Sequence, residues 1–568
     1  MAVLGTSYQI GNSALAAYQA AIAVTGQNIA NVGNPDYARQ TGRLEPINGG
    51  TTSSGTAPGA GINLANLQRH LDEAVESRLR LSLAERSGAE ARYQSLSRVE
   101  ALYDELTEYD LSSQLNKLFG GLASLQADPT ETTARNLVIA QADAVIETLQ
   151  RHRNGLLNEA SDLNNTIEEL TQNANVLASE IAELNELIVT AEAHSPGGAG
   201  ALRDRRDGLL RELGELMEVE TREQSNGILN VYVGSEPLVD FNHSRGLTTE
   251  AVLEDGVERV TVRFADNNGT VILREGQVGA LQEARDVHLA GQIEKLDGLT
   301  RALIYEVNRV HSSGRGLVGY SSLMGSYAVD DATAALNSDE AGLVFPVENG
   351  TFLVHVGDPD TERTTTRLIA VDLDGLNDDD TTLTSLAAAL DAVPNLNATV
   401  TADNRLQLST DAGCEATFSE DSSGALAALG VAGFFEGTDA RTMDVASAVR
   451  ADPRLIATSL NGAPGDGSNA GRLAAVGSNV SDLLAGQTIQ DFHAGLVNTL
   501  AVQVSAAQTE YEASDAVYSS LLAQREATSG VSLDEEAINL TKYERAFQGA
   551  SRFLSVLDSL TSEVLSLV

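Results

Sequence analysis

Heptad-spaced apolar residues occupy both ends of this chain, and that spacing limits what it can fold into more than any other feature. Leu4, Tyr8, Gly11, Leu15, Tyr18, Ile22, Thr25, Ile29 and Val32 step by four and three without a slip, with Gly11 and Thr25 as weak members. The last segment does the same. Leu533, Leu540, Phe547, Leu554, Thr561 and Val568 recur every seven residues, with Glu536, Tyr543, Ala550, Leu557 and Val564 three places after them. A period of 3.5 marks the seam of a helix that lies along another helix. The two ends are therefore expected to be partners, and the chain between them to be a long excursion that leaves from them and returns.

Each end carries more apolar surface than one partner covers. Ile10, Ala14, Ala17, Ala21 and Val24 form a second, alanine-rich stripe that a further helix could approach closely, and Phe553, Leu560 and Leu567 widen the C-terminal stripe. No residue from Met1 to Pro35 is charged, in a chain that is 21% charged. A soluble helix pair puts charge on its outer face, so this end is expected to be surrounded by other protein. An ordinary buried helix of a large bundle fits the same periodicity.

At 568 residues the chain is too long for one core. After Val32, Gly33-Asn34-Pro35-Asp36 breaks the helix, and Gly49 to Gly61 reads as a linker or hinge loop. Helical sequence runs from about Asn63 to Phe119, from about Pro129 to Ala193 and from Ala201 to Met217; Leu163 to Ile188 holds a further heptad seam. The period then drops to 2, as Val260, Val262 and Phe264 alternate with polar neighbours and Ile228 to Val233 is β-branched enough to pair with them. Helix resumes from about Gly279 to His311. Short strands between Gly- and Asp-rich turns fill the stretch from Tyr320 to Arg441, and helix returns from about Ser478 to Ala527. Gly530 supplies a stop, and Ser532 with Glu535 reads as a capping box for the last helix.

The expected class is α+β and mainly helical: terminal coiled-coil helices, a long-helix bundle with a small β subdomain, and an inserted β-rich domain. Residues 1–45 and 528–568 form the terminal coiled-coil domain. Residues 46–325 and 441–527 form the helical body, with its β subdomain at about 218–275, and 326–440 form the inserted β-rich outer domain. Such nesting predicts a rod with both chain ends at one tip.

Composition excludes several functions. A net charge of −43, from 80 acidic and 37 basic residues, rules against nucleic acid, whose phosphates need a basic face. Cys414 is alone, so the chain forms no disulfide within itself. There is no tryptophan to stack on sugars or bases. No apolar run approaches the roughly 20 residues of a membrane span, and the N-terminus lacks the pattern of a cleaved signal peptide.

Chemistry is equally scarce. The eight histidines are scattered, with no His-Glu-x-x-His pair or Cys/His cluster, so no zinc or other metal site is assigned. Asp372-x-Asp374-Gly375, followed by Asp378 to Asp380, resembles a calcium loop, but its glycine comes too early and Leu383 stands where a bidentate Glu is needed. Gly465-x-Gly467-x-x-Ala470 follows Pro464 and not a strand, so it reads as a turn with Ser468 or Asn469 capping a helix. No Gly-x-Ser-x-Gly elbow occurs. No catalytic residue, cofactor or enzyme activity is expected.

Asn28-Ile29-Ala30-Asn31 through Pro35, Tyr37, Ala38 and Arg39 resembles the signature of bacterial flagellar rod, hook and hook-associated proteins, with Asp36 where that family usually has Gly. Ser529 to Ala537, continuing through Leu540, Tyr543, Phe547 and Ala550, and Leu202 to Leu210 look more specifically like the hook–filament junction branch of that family. The resemblance implies a structural adaptor: a ring of subunits exported without a cleaved signal, unfolded at their ends, whose terminal helices order as a coiled coil on joining neighbours outside the cell. It also implies as partners further copies of the chain, the hook protein, a second junction protein, and an export chaperone on the C-terminal segment. The assembly contacts would fall on Leu4, Tyr8, Leu15, Tyr18, Ile22, Ile29, Asn31, Tyr37 and Arg39, and on Leu533, Leu540, Tyr543, Phe547, Leu554, Leu557 and Val564. The rival readings are another axial protein of the same family, or an extracellular enzyme or adhesin whose β domain works on a helical stalk.

Overall fold

The structure, a computed structural model, describes residues 2–48, 59–103, 110–194, 197–254, 257–359, 361, 363–376 and 379–566. Most of the linker expected at Gly49 to Gly61, and Leu567 and Val568 of the C-terminal stripes, lie outside them. Helix α1 (Ala2–Ala30) leads into the antiparallel strands β1 (Gln40–Pro46) and β2 (Ile62–Arg69). Helices α2 (Glu73–Tyr103), α3 (Leu111–Ala127), α4 (Thr132–His194) and α5 (Gly200–Leu216) follow. Then come β3 (Glu220–Glu223), β4 (Leu229–Val233), β5 (Glu236–Asp240) and β6 (His243–Ser244), which form one antiparallel sheet in that order, and the hairpin of β7 (Leu247–Glu254) with β8 (Val257–Phe264).

Helix α6 (Gly276–Glu283) passes through a π-helical turn, Ala284–Leu289, into α7 (Ala290–Ser312). The β-rich stretch contains β9 (Ser322–Met324), β10 (Gly350–Asp358), β11 (Arg363–Val371), helix α8 (Leu383–Asp391), β12 (Leu396–Val400), β13 (Leu406–Thr410) and β14 (Glu415–Ser419). Its two sheets have the orders β11-β10-β14 and β12-β13-β9, all antiparallel. After α9 (Ser468–Ala475) come the long helices α10 (Ile489–Ser529) and α11 (Leu533–Ser566). The class is mainly helical α+β, as expected.

Two compact units form: residues 1–96, 160–286 and 504–568, and residues 97–159 and 287–503. In the first, three asparagines of α4, about three turns apart, tie the helix to strand backbones. Asn164 Nδ2 donates to Glu258 O at 2.7 Å, Asn175 both donates to Leu247 O and accepts from Leu247 N, and Asn185 donates to Leu229 O and Phe241 O. A carboxamide offers donor and acceptor together, so it caps an exposed strand carbonyl and amide at once. The apolar residues Ile167, Ala174, Ala178, Ile181 and Ile188 of the same helix are buried. They step by seven, four, three and seven, so the buried face keeps the heptad spacing read from the sequence, with Ala178 added beside Leu177.

The second unit is knitted by buried polar side chains. Arg135, 0% exposed, donates to the carbonyls of Pro129, Pro453 and Ile456 and to Thr458 Oγ1. Burial lowers its pKa to about 10. Asn308 accepts from the amides of Phe434 and Phe435 and donates to Phe435 O.

Several local expectations are corrected. Residues 63–69 form strand β2 and not the start of a helix; α2 begins only at Glu73, where Asp72 accepts from the Ala74 amide. The stretch 383–391 is helical, fixed by a capping box in which Thr382 and Ser385 bond each other's backbone amides. Short turns and strand pairs, not continuous helix, occupy 478–488. Helix α9 starts at Ser468, but Asp466 takes its first amide, at 2.9 Å. Asp372, Asp374 and Asp380 each bring one carboxylate oxygen within 4.8 Å of the others. The Gly375 and Leu376 amides already donate to Asp380 and Asp374, and Asp378 lies outside the described residues.

Candidate assembly interface

Helices α1 and α11 pack along each other, and the hairpin β1–β2 lies against α1. Three contacts fix the direction of the pair. The Tyr8 hydroxyl donates to Asp558 Oδ1 at 2.6 Å and meets Thr561 Oγ1 at 3.2 Å; Gly11 faces Leu554; Asn28 Nδ2 donates to Glu536 Oε2 at 3.0 Å. As the number rises along α1 it falls along α11, so the pair is antiparallel. At Gly11 the Leu554 side chain lies against the backbone of α1: a Cβ there would stand 2.5 Å from Leu554 Cδ2.

The seam is only half shielded. Leu15, Tyr18, Ile22 and Ile29 on α1, and Leu540, Tyr543, Phe547 and Leu554 on α11, are partly exposed; Leu557 is buried. Leu533 and Val564 depart from the expected seam, being 53% and 48% exposed. Both lie near the ends of α11, one turn beyond the contacts that Glu536 and Thr561 make with α1. Leu4 lies in α1, with its side chain outside what is described. The alanine-rich stripe does not wait for a second helix, because the chain's own hairpin uses it: Ser13 Oγ accepts from the Ile62 amide, and a Cβ on Gly61 would collide with Ser13 and approach Ile10. Ala17 and Ala21 of that stripe are buried.

At the other end of the pair a polar knot replaces apolar packing. Asn28, 1% exposed, uses all its capacity. Nδ2 donates to Gln40 O at 2.8 Å and to Glu536, while Oδ1 accepts from the Tyr37 hydroxyl at 2.7 Å and the Gln40 amide at 3.0 Å. Glu536, also 1% exposed, accepts from Arg39 Nε and Nη2, each at 2.9 Å. Arg39 Nη1 meets Glu535 at 2.9 Å, so that carboxylate serves an ion pair, and the Glu536 amide takes the Ser532 carbonyl. The Arg39 amide donates to Ser529 O, which ties the turn to the end of α10. Tyr37 is buried, and burial, with Asp204 and Glu536 nearby, pushes its hydroxyl up to about 12. Asn31 only bonds locally, to Gln27 O and Asn34.

The turn before this knot is held from below. Pro35 O accepts from Arg525 Nη1 at 2.6 Å and from Arg211 Nη1 at 3.2 Å, and Arg211 pairs with Asp36. Arg525 also pairs with buried Glu76. Arg69 joins Asp204 at 2.8 Å and Asp207, both on α5. Sequence reasoning found Tyr37 and Arg39 by resemblance and quoted Asn28 in the same signature without a contact role, but missed Glu76 and Arg525. A polar residue on an otherwise apolar helix face was the available signal, and Glu536 in the C-terminal seam was an instance of it.

The outer faces of the pair stay open in the single chain. On α1 these are Gln9, Asn12, Ala16, Gln19, Ala23 and Ala30, all uncharged. On α11, Ile538, Phe553, Val556, Leu560 and Leu565 are exposed, Ile538 and Leu565 by about 70%. Among the described residues no helix is long and apolar enough to cross a membrane.

Comparison with known proteins finds flagellar proteins. The family model "Flagellar hook-associated protein FlgK helical domain" matches residues 96–323, and "Flagellar basal body rod FlgEFG protein C-terminal" matches residues 523–567. Flagellar hook-associated protein 1 of Salmonella typhimurium strain LT2 is 25% identical over 570 residues, covering 98% of each chain. The Bacillus subtilis strain 168 protein of that name is 24% identical, over 97% of this chain and 96% of its own. The flagellar hook junction protein FlgK of Burkholderia pseudomallei shares the fold, with a TM-score of 0.53 at 14% identity over 80% of this chain and all of its own. The two matched segments and the full-length relatives point one way: the chain is similar over nearly its whole length to flagellar hook-associated protein 1, a structural component of the bacterial flagellum.

Proposed function

We propose that this chain is the junction adaptor between hook and filament, and that α1 and α11 carry its contacts with neighbouring subunits. The supporting observation is the unshielded outer surface of the terminal pair: an uncharged stripe along α1 and an apolar one along α11. Contiguous apolar surface on a soluble chain marks a binding surface, and a partly covered helix pair gains stability when further copies pack against it. Copies of this chain form a ring; the hook protein lies on one side and the second junction protein on the other. Segments 1–45 and 528–568 act as the terminal coiled-coil domain, with the body at 46–325 and 441–527 and the β-rich domain at 326–440.

Residues Leu4, Tyr8, Leu15, Tyr18, Ile22, Ile29, Leu540, Tyr543, Phe547, Leu554 and Leu557 serve assembly by building the pair, Leu533 and Val564 add to its open surface, and Tyr37 and Arg39 anchor its base. Before assembly an export chaperone covers the C-terminal segment, whose exposed apolar residues would otherwise associate prematurely. Its role is structural, with no catalytic step.

The test uses the outer stripe, which the chain's own pair does not need. Phe553→Asp with Leu560→Asp should leave the helical content of the purified chain unchanged, yet hooks in cells carrying the variant should shed or fail to bear filaments. Filaments attached normally to such hooks would overturn the proposal.

A further inference from the structure

We infer that Asn28 and Glu536 are positioning residues that set the register of α1 against α11. The apolar seam cannot do this alone. It repeats every seven residues, so a slip by one repeat would face Gly11 with Phe547 or Thr561 in place of Leu554 and still cover apolar surface. The polar knot has no such repeat. Asn28 and Glu536, each 1% exposed and 508 positions apart in sequence, satisfy one another only in the native alignment. A slip leaves both buried groups short of partners, and an unpaired buried polar group costs more than its bond contributes when made. A single buried polar residue fixes register in coiled coils by this route. Here the carboxylate is tied through Arg39 to the carbonyl of Ser529, so the alignment of α1 is referred to the end of α10 as well.

This concerns the fold of a single chain, so it holds or fails whether or not the copies assemble as proposed above. The experiment uses the full chain carrying Cys414→Ser, with Gly11→Cys combined in turn with Leu554→Cys, Phe547→Cys or Thr561→Cys, oxidised in dilute solution. In the parent, the cross-link between positions 11 and 554 should dominate. Asn28→Asp sets a second carboxylate against Glu536, and should lower the native cross-link roughly tenfold relative to the slipped ones, as for one strong buried hydrogen bond unmade. Adding Glu536→Gln, whose amide can donate to the new carboxylate, should restore it. A native cross-link that is unchanged by Asn28→Asp, or that falls and is not restored by Glu536→Gln, would overturn the inference. Where Asn28→Asp abolishes helix α1 by circular dichroism, Asn28→Leu with Glu536→Leu takes its place. A mixture of registers then supports the inference, and an undiminished single product overturns it.

Discussion

Arg525 and Glu76 form an ion pair at 2.6 Å with side chains only 4% and 5% exposed. Removing one partner of a buried pair strands the other charge, whereas replacing both with apolar groups of similar size is tolerated much better. Arg525→Ala should therefore lower unfolding stability by about 3 to 5 kcal/mol, and Arg525→Met with Glu76→Leu by clearly less, measured by denaturant unfolding followed by circular dichroism. His311 supplies a pH dependence. It is 1% exposed, one ring nitrogen lies 2.8 Å from Ala432 O, and Nε2 accepts from the Ala457 amide. Burial holds its pKa down to about 4, well below that of an unfolded histidine. The unfolded chain thus binds this proton first, and stability present near neutrality is lost as pH falls from about 6.5 towards 4. The loss should reach roughly 3 kcal/mol and shrink in His311→Gln, whose side chain does not titrate; equal losses in both chains would refute this.

At the scale of elements, the terminal pair is narrow and only partly covered, so one charge in its seam should open it. Phe547→Asp or Leu554→Asp should unzip α11 from α1 and prevent incorporation into flagella. The unit formed by 97–159 and 287–503 contains neither helix, and its melting transition should be unchanged by calorimetry. A second check is steric. Gly11→Leu drives a side chain into Leu554, and should weaken the pair as much as a typical overpacked core, about 1 to 3 kcal/mol; Leu554→Ala in the same chain should recover part of the loss. The hairpin β1–β2 shows why the sequence misled at this scale. Its strand residues Ile62 to Arg69 share an apolar pattern with the helix that follows, and only the pairing of Gln40 to Pro46 with them decides for strand.

For the whole molecule the dominant quantity is a net charge of −43. Like charges on a compact chain repel, and salt screens them over a Debye length of about 10 Å at 0.1 M. Melting temperature should rise by several degrees between about 0.05 and 1 M sodium chloride; a flat or falling profile would show that the numerous arginine–carboxylate pairs outweigh the repulsion. The charge-free first 35 residues place the proposed contact where copies meet with least repulsion.

Periodicity was legible without the fold: the helical body, the two terminal seams, the strands near 218–275 and the β-rich stretch all follow from apolar spacing, which local geometry enforces at 3.6 or 2 residues per repeat. Strand pairing was not, since Leu229–Val233 and Val257–Phe264, expected to pair, belong to separate sheets. The sequence by itself also determined the absence of charge at the N-terminus. Tertiary structure alone decided what occupies each face. The alanine stripe of α1 takes the chain's own hairpin, Leu533 and Val564 turn outward, and Asn28, Tyr37, Arg39 and Glu536 converge from segments about five hundred residues apart. Such convergence has no period. A polar group is placed by the one partner that can satisfy it, and that partner is fixed only when the chain has closed on itself.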